Sequence, residues 1–281
     1  MKRKIVLITL SILILLVVGY FVESYYFSEN EEDNTVSNIL DTDIVKGDWW
    51  VPTQEDTWQW QLSGTINTEY DVDIFDIDLV NSPQSIIDIL HSKGIKVICY
   101  FSAGSWEDFR TDADEFPENV LGKTLDGWEN EKWLDVSSYT EFSSIIEARL
   151  DLAVEKGCDA VEPDNVDGYQ NISGFKLTSN DQLIYNKWLA EQAHDRGLSI
   201  GLKNDLDQIN DLVGQFDFAV NEQCFEYDEC ELLLPFINQG KAVLGVEYEI
   251  ETTDFCDQAN NMKFSWLKMD YDLEGGRTSC K

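Results

Sequence analysis

One pattern constrains this chain more than any other. A helical stretch ends in a basic or polar residue followed by glycine, and a strand-like run begins at once. It occurs at His91-Ser92-Lys93-Gly94 before residues 95–101 and at Glu155-Lys156-Gly157 before residues 158–162. It returns at His194-Asp195-Arg196-Gly197 before residues 198–202 and at Asn238-Gln239-Gly240 before residues 241–246. A helix C-terminus favours glycine because the next residue commonly turns left-handed, and basic groups suit the negative end of the helix dipole. Repeated helix–glycine–strand units mean parallel strands joined by helical crossovers.

Eight strands are expected, at 58–62, 72–78, 96–103, 160–165, 199–204, 218–223, 242–248 and 264–270, with helices between them. The clearest helices are 139–156 and 181–196. Eight alternating units in roughly 250 residues favour a closed (β/α)8 TIM-type barrel, forming one catalytic domain over 48–281. No glycine-rich nucleotide loop follows the first strand, which argues against a dinucleotide-binding sheet.

Ahead of the domain, Met1-Lys2-Arg3-Lys4 precedes an almost unbroken apolar run, 5–22. Residues 1–22 are expected to be a signal peptide or an N-terminal signal-anchor with the basic end cytoplasmic. No clean small-residue cleavage site follows, which favours the anchor. Residues 23–47 read as an acidic linker, and the domain is expected outside the cell or at its surface. Six cysteines, Cys99, Cys158, Cys224, Cys230, Cys256 and Cys280, fit three disulfides in such a compartment, with the pairing left open. Asn171-Ile172-Ser173 is a glycosylation acceptor where exported proteins are glycosylated.

Twenty basic against 54 acidic residues give a net charge of −34. Such a surface repels nucleic acid and anionic lipid and attracts cations. Membrane contact is therefore expected only through the N-terminal segment, and a monomer is expected.

Nearly every strand begins apolar and ends polar or acidic. The ends are Asp76-Ile77-Asp78, Glu162-Pro163-Asp164-Asn165, Lys203-Asn204-Asp205, Asn221-Glu222-Gln223, Glu247-Tyr248 and Lys268-Met269-Asp270. In a barrel all these ends converge on one face, where loops build the site. A ring of carboxylates there is costly unless it binds or transforms something.

The only histidines, His91 and His194, fall at helix C-termini on the opposite face, where they read as caps. That leaves no parts for a Ser-His-Asp triad or a histidine metal site, and neither metal nor cofactor is expected. Paired carboxylates remain, the usual means of cutting glycosidic bonds. Trp49, Trp50, Trp58, Trp60, Tyr100, Trp106, Trp128, Trp133, Tyr169 and Tyr248 sit at or beside strand ends, where sugar faces stack on aromatic rings.

Several ordered motifs resemble glycoside hydrolase family 114, the endo-α-1,4-polygalactosaminidases, from about Asp48 to the C-terminus. They are Trp58-Gln59-Trp60-Gln61-Leu62, Tyr100-Phe101-Ser102-Ala103-Gly104-Ser105, Glu162-Pro163-Asp164-Asn165-Val166-Asp167, Gly201-Leu202-Lys203-Asn204-Asp205 and Asn221-Glu222-Gln223-Cys224. The resemblance implies a barrel that hydrolyses α-1,4-linked galactosamine polymers with Asp164 and Glu222 as its catalytic pair. By analogy with retaining α-glycosidases on related barrels, Asp164 would be the nucleophile and Glu222 the acid/base.

The implied substrate is a cationic galactosamine-containing polysaccharide, which gives the acidic surface a purpose. Asp76, Asp78, Asp205, Glu247 and Asp270 are candidates to hold its ammonium groups, or else structural partners of Lys203 and Lys268. Lys203 is expected to pair with these acids. Trp60, Tyr100 and Tyr248 are candidate sugar contacts, and Asn165 and Asn221 either orient the catalytic acids or bind hydroxyls. Asp167 is a candidate loop cap. Two other readings stay open at this point: a non-catalytic carbohydrate-binding barrel, and an α-glycosidase for galactose or N-acetylgalactosamine.

Overall fold

The computed structural model describes residues 47–281. The leader or anchor expected at 1–22, and all of the expected linker but residue 47, lie outside the described residues. Among the described residues, no helix is long and apolar enough to cross a membrane.

Eight parallel strands follow one another around a curled sheet. They are β1 (Trp58–Gln61), β2 (Ile74–Asp78), β3 (Lys96–Ser102), β7 (Ala160–Asp164), β8 (Ser199–Lys203), β9 (Phe218–Glu222), β10 (Val243–Glu247) and β11 (Ser265–Met269). Each matches an expected strand to within two residues at either end. The chain is a (β/α)8 barrel, with a short β12 (Arg277–Ser279) antiparallel to β11. Across the seam between β1 and β11, the Trp58 indole donates to the Ser265 carbonyl at 3.0 Å and the Ser265 hydroxyl to the Asp56 carbonyl at 3.0 Å.

The side-chain alternation of each strand divides the apolar residues into two cores. Trp58, Trp60, Ile74, Ile98, Phe218 and Leu244 fill the barrel interior. A larger core lies between the strands and the helices, of which α1 spans Gln84–Ser92, α2 Ser143–Lys156 and α3 Ser179–Asp195. Helices α4 (Ile209–Leu212), α5 (Leu234–Asn238) and α6 (Thr252–Asn261) complete the ring. Helix α3 begins with a reciprocal capping box between Thr178 and Asp181, and buries Tyr185, Leu189, Ala190 and Ala193 at helical spacing.

The glycines that punctuate the sequence do what their positions require. Gly94, Gly157, Gly197 and Gly240 all have left-handed φ, at 79°, 78°, 73° and 76°, and each reverses the chain from a helix toward the next strand. His91 and His194 lie in the last turns of α1 and α3, at the end of the barrel where strands begin. They contact Asp159 at 2.8 Å and Asp217 at 3.0 Å. Those aspartates also accept from the backbone of Val97 and Ile200, so each clips a neighbouring strand.

Three features depart from the expected alternation. No helix joins β1 to β2. The outer face of β1 is covered instead by the C-terminal segment, whose Gly275 carbonyl accepts from Gln59 and Tyr70, each at 2.7 Å. An antiparallel sheet of β4 (Ser105–Glu107), β5 (Leu121–Leu125) and β6 (Trp128–Leu134) stands between β3 and α2. The helix expected from 139 is a 3-10 stretch, Val136–Glu141, followed by α2 proper. The disulfides pair Cys99 with Cys158, Cys224 with Cys230 and Cys256 with Cys280.

Candidate active site

Three adjacent strands end the same way. Asp164 closes β7, Lys203 closes β8 and Glu222 closes β9, and each is followed by a residue with left-handed φ: Asn165 at 62°, Asn204 at 49° and Gln223 at 65°. Left-handed backbone is rare outside glycine and is tolerated best by asparagine and aspartate. Clustered at one rim, it marks a constrained site. The turn also fixes the side chains. Asn165 N–H donates to Asp164 Oδ1 at 2.7 Å, and Glu222 N–H donates to Asn204 Oδ1 at 3.0 Å. Gly104 presses on this turn so closely that an added Cβ would lie 1.6 Å from the Asn165 carbonyl oxygen, which excludes any side chain there.

Lys203 is the hub. Its Nζ lies 3.0 Å from Glu162 Oε1, 3.2 Å from Asp164 Oδ1 and 3.4 Å from Glu222 Oε2. Asp164 and Glu222 therefore flank one ammonium and are separated by no more than the sum of their two distances to it. Burial by itself works against the charge, but Asp164, Glu162 and Glu222 outweigh it and hold Lys203 well above the ordinary lysine range. The cation also lies 4.8 Å from the centre of the Trp60 ring.

Two phenols complete the setting. Tyr100 Oη donates to Asp164 Oδ2 at 3.0 Å and Tyr248 Oη to Glu222 Oε1 at 2.5 Å. Burial, with the carboxylates beside them, pushes both phenols well above their ordinary range, so each stays a donor. Asp76 lies deeper in the barrel, where burial and the Glu162 carboxylate push it well above the ordinary carboxylate range.

Above this floor opens a cleft of about 750 Å³. Trp60, Tyr100, Asp164, Asn165, Lys203 and Glu222 line it, as the sequence leads one to expect of them. Four of the five acids expected to hold substrate ammonium groups do not present a carboxylate to it. Asp76 is buried beneath the floor, Asp205 and Glu247 are buried outside the lining, and Asp270 is exposed but is not one of the residues that line the cleft. Asp205 accepts from Asn186 at 2.9 Å, and Glu247 from Phe225 N–H at 2.9 Å. Asp78 does line the cleft, but Arg110 grips both its oxygens, at 3.0 and 2.8 Å, so it is neutralised within the chain. Asn221 is buried and donates to Asn204 Oδ1 at 3.2 Å, a positioning contact. Asp167 lies on the cleft wall.

Some aromatic expectations shift as well. Trp49 stacks on His194 at the far end of the barrel, with ring centroids 4.3 Å apart, and Trp58 is wholly buried. Trp128 and Trp133 do line the cleft. So do Glu107, Arg110, Glu131, Asp126, Tyr271 and Asp272, none of them expected from the strand ends. All come from the inserted sheet, its connecting loops or the loop after β11. Glu131 lies on β6 in Trp128-Glu129-Asn130-Glu131-Lys132-Trp133, where four polar residues separate the two tryptophans and no period-two alternation marks the strand.

Comparison with known proteins agrees with this architecture. The chain is 39% identical to Aspergillus fumigatus Ega3, solved as a complex with galactosamine; 83% of this chain and 100% of that one align, with a TM-score of 0.79. The glycoside hydrolase domain of PelA from Pseudomonas aeruginosa shares the fold at 12% identity, over 79% of this chain and 97% of that one, with a TM-score of 0.61. Amy13B of Eubacterium rectale shares it more distantly, at 10% identity over 80% of this chain and 67% of that one, with a TM-score of 0.51. No curated protein sequence matches. The profile of glycoside-hydrolase family GH114 matches residues 41–281. With that match spanning the whole barrel, the chain belongs to family GH114 and is a glycoside hydrolase.

Proposed function

We propose that this enzyme cleaves α-1,4-linked galactosamine-containing polysaccharide outside the cell or at its surface, by a double displacement with net retention. Asp164 is the nucleophile and Glu222 the acid/base. The observation that carries the reading is the placement of both carboxylates against one buried ammonium on the wall of one cleft. Their separation is bounded below about 7 Å, which accommodates the ~5–5.5 Å of retaining enzymes.

The division of labour follows from hydrogen bonding. Asp164 receives the Asn165 N–H, the Tyr100 hydroxyl and the Lys203 ammonium, a set that stabilises an anion and frees it to attack. Glu222 is the more open of the two, with 27% of its side chain exposed against 19% for Asp164, and can exchange protons with solvent. In the first step Glu222 gives its proton to the glycosidic oxygen as the C1–O bond breaks, and Asp164 bonds to C1. In the second, Glu222 takes a proton from water, whose oxygen attacks C1 as the ester to Asp164 breaks.

The substrate class is supported by the 39% identity to Ega3, a protein solved with galactosamine. A galactose or N-acetylgalactosamine polymer would leave the acidity of the cleft without a purpose. Product analysis by proton NMR on defined galactosamine oligomers tests the proposal. The first-formed product is expected to have the α-configuration, and Asp164→Asn and Glu222→Gln are each expected to abolish cleavage while thermal unfolding persists. A β-product, or full activity in either variant, overturns it.

A further inference from the structure

Among the described residues, four carboxylates on the cleft wall, Asp126, Glu131, Asp167 and Asp272, form no ion pair, and of these Glu131 is the one tied by side-chain hydrogen bonds to the catalytic rim. Arg110 pairs with Asp78 and Glu107 at 2.8 Å, and Lys203 pairs with Glu162, Asp164 and Glu222. Glu131, also on the wall, forms no ion pair among the described residues. It is nevertheless held. Its Oε2 accepts from Ser105 Oγ at 2.7 Å, while its Oε1 makes no hydrogen bond among the described residues. The Ser105 hydroxyl in turn lies 2.6 Å from Ser102 Oγ, which accepts from Asn165 at 2.9 Å. A short chain of hydrogen bonds thus ties Glu131 to the residue after the proposed nucleophile. An anion fixed on one oxygen and open on the other is arranged to receive a cation.

We infer that Glu131 binds the free ammonium group at C2 of the sugar that Asp164 attacks, and so selects de-N-acetylated substrate. The inference rests on the catalytic reading above. C2 adjoins the anomeric carbon, so a carboxylate that reads its amine has to lie on the Asp164 side of the cleft. A 2-ammonium also opposes the positive charge that develops at C1 in the transition state. A fixed carboxylate on that ammonium offsets the repulsion, so Glu131 acts in turnover as well as in binding. An acetamide offers no charge to pair with and is bulkier. Burial, the neighbouring Glu107 and Asp164 carboxylates adding to it, already pushes Glu131 up to about 7, the expected consequence of a site lacking its cation.

The test is Glu131→Gln in the full chain, with Asp167→Asn as comparator because Asp167 also lies on the wall. Glutamine keeps an oxygen for the Ser105 hydroxyl and removes only charge. The ratio of kcat/KM on fully de-N-acetylated to fully N-acetylated oligomers is expected to fall roughly 10- to 100-fold, the strength of a hydrogen bond to a charged group, with kcat contributing. The rise in activity as pH passes through about 7 is expected to disappear with it. Equal losses on both substrates, an unchanged ratio, or collapse of the ratio in Asp167→Asn instead overturns the assignment. Binding of monomeric galactosamine and galactose, followed by NMR, separates this idea from the catalytic one. A preference for galactosamine that vanishes in Glu131→Gln sustains the inference even if no polymer is cut, and a preference that survives sinks it.

Discussion

Lys203 Nζ lies 3.2 Å from Asp164 Oδ1 although only 1% of the lysine side chain meets solvent. A buried cation surrounded by three carboxylates is stable only as a set, because each partner offsets the desolvation of the others. Replacing Lys203 with Met keeps the volume and removes the charge, leaving Glu162, Asp164 and Glu222 facing one another. The variant is expected to lose about 3–5 kcal/mol near neutral pH, as broken buried pairs do. The loss is expected to shrink toward pH 4, where the stranded carboxylates take up protons. Urea unfolding at both pH values checks this; a loss that does not change with pH would mean that packing, not charge, holds the site together.

Asp205 offers a second pH test, away from the chemistry. It has left-handed φ, at 46°, is almost wholly buried and donates nothing to the cleft. Burial, with Asp167 adding to it, pushes its carboxyl from 3.8 up to about 8. The folded state thus holds a proton that the unfolded chain releases near pH 4. The stability from this group is complete below pH 4 and drains away as pH rises toward 8. Asp205→Asn, which suits the same backbone and still accepts from Asn186, removes that drain. It is expected to match the parent near pH 3 and to be more stable by about 2 kcal/mol or more at pH 8. Equal denaturation midpoints at pH 8 would refute it.

How much of this was legible in the sequence depends on whether local signals decided the matter. The parallel strands were readable because each carries an apolar run bounded by glycine on one side and polar residues on the other. The four helix-end glycines took the conformation their position called for. The convergence of Asp164, Lys203 and Glu222 followed from topology alone, since every parallel strand ends on the same rim. What escaped was everything set by tertiary partners. Asp76 and Glu247 read like Asp164, as acids at strand ends, yet a shift of one or two residues along a strand changes the depth or the face of a side chain. Asp78 points the right way, but Arg110 comes from the loop after β4 and no pattern links the two. Glu131 was overlooked because its strand lies outside the barrel repeat and its polar run carries no apolar alternation.

The acidic surface itself makes one more measurable claim. With a net charge of −34, the enzyme attracts a polycation from beyond contact distance, and salt screens that attraction. The screening length falls from about 30 Å at 0.01 M to about 3 Å at 1 M salt. On de-N-acetylated polymer, kcat/KM is expected to drop about tenfold or more between those limits, in line with the size of electrostatic steering. The N-acetylated polymer carries no charge and is expected to show little change. Because Glu131 acts at contact, within hydrogen-bonding distance of the bound sugar, its contribution to the substrate ratio is expected to survive salt that abolishes steering. Initial rates on both polymers across the salt range, in the parent and in Glu131→Gln, separate the long-range effect from the local one. Turnover on the cationic polymer that is flat in salt would reduce the surface charge to a matter of solubility.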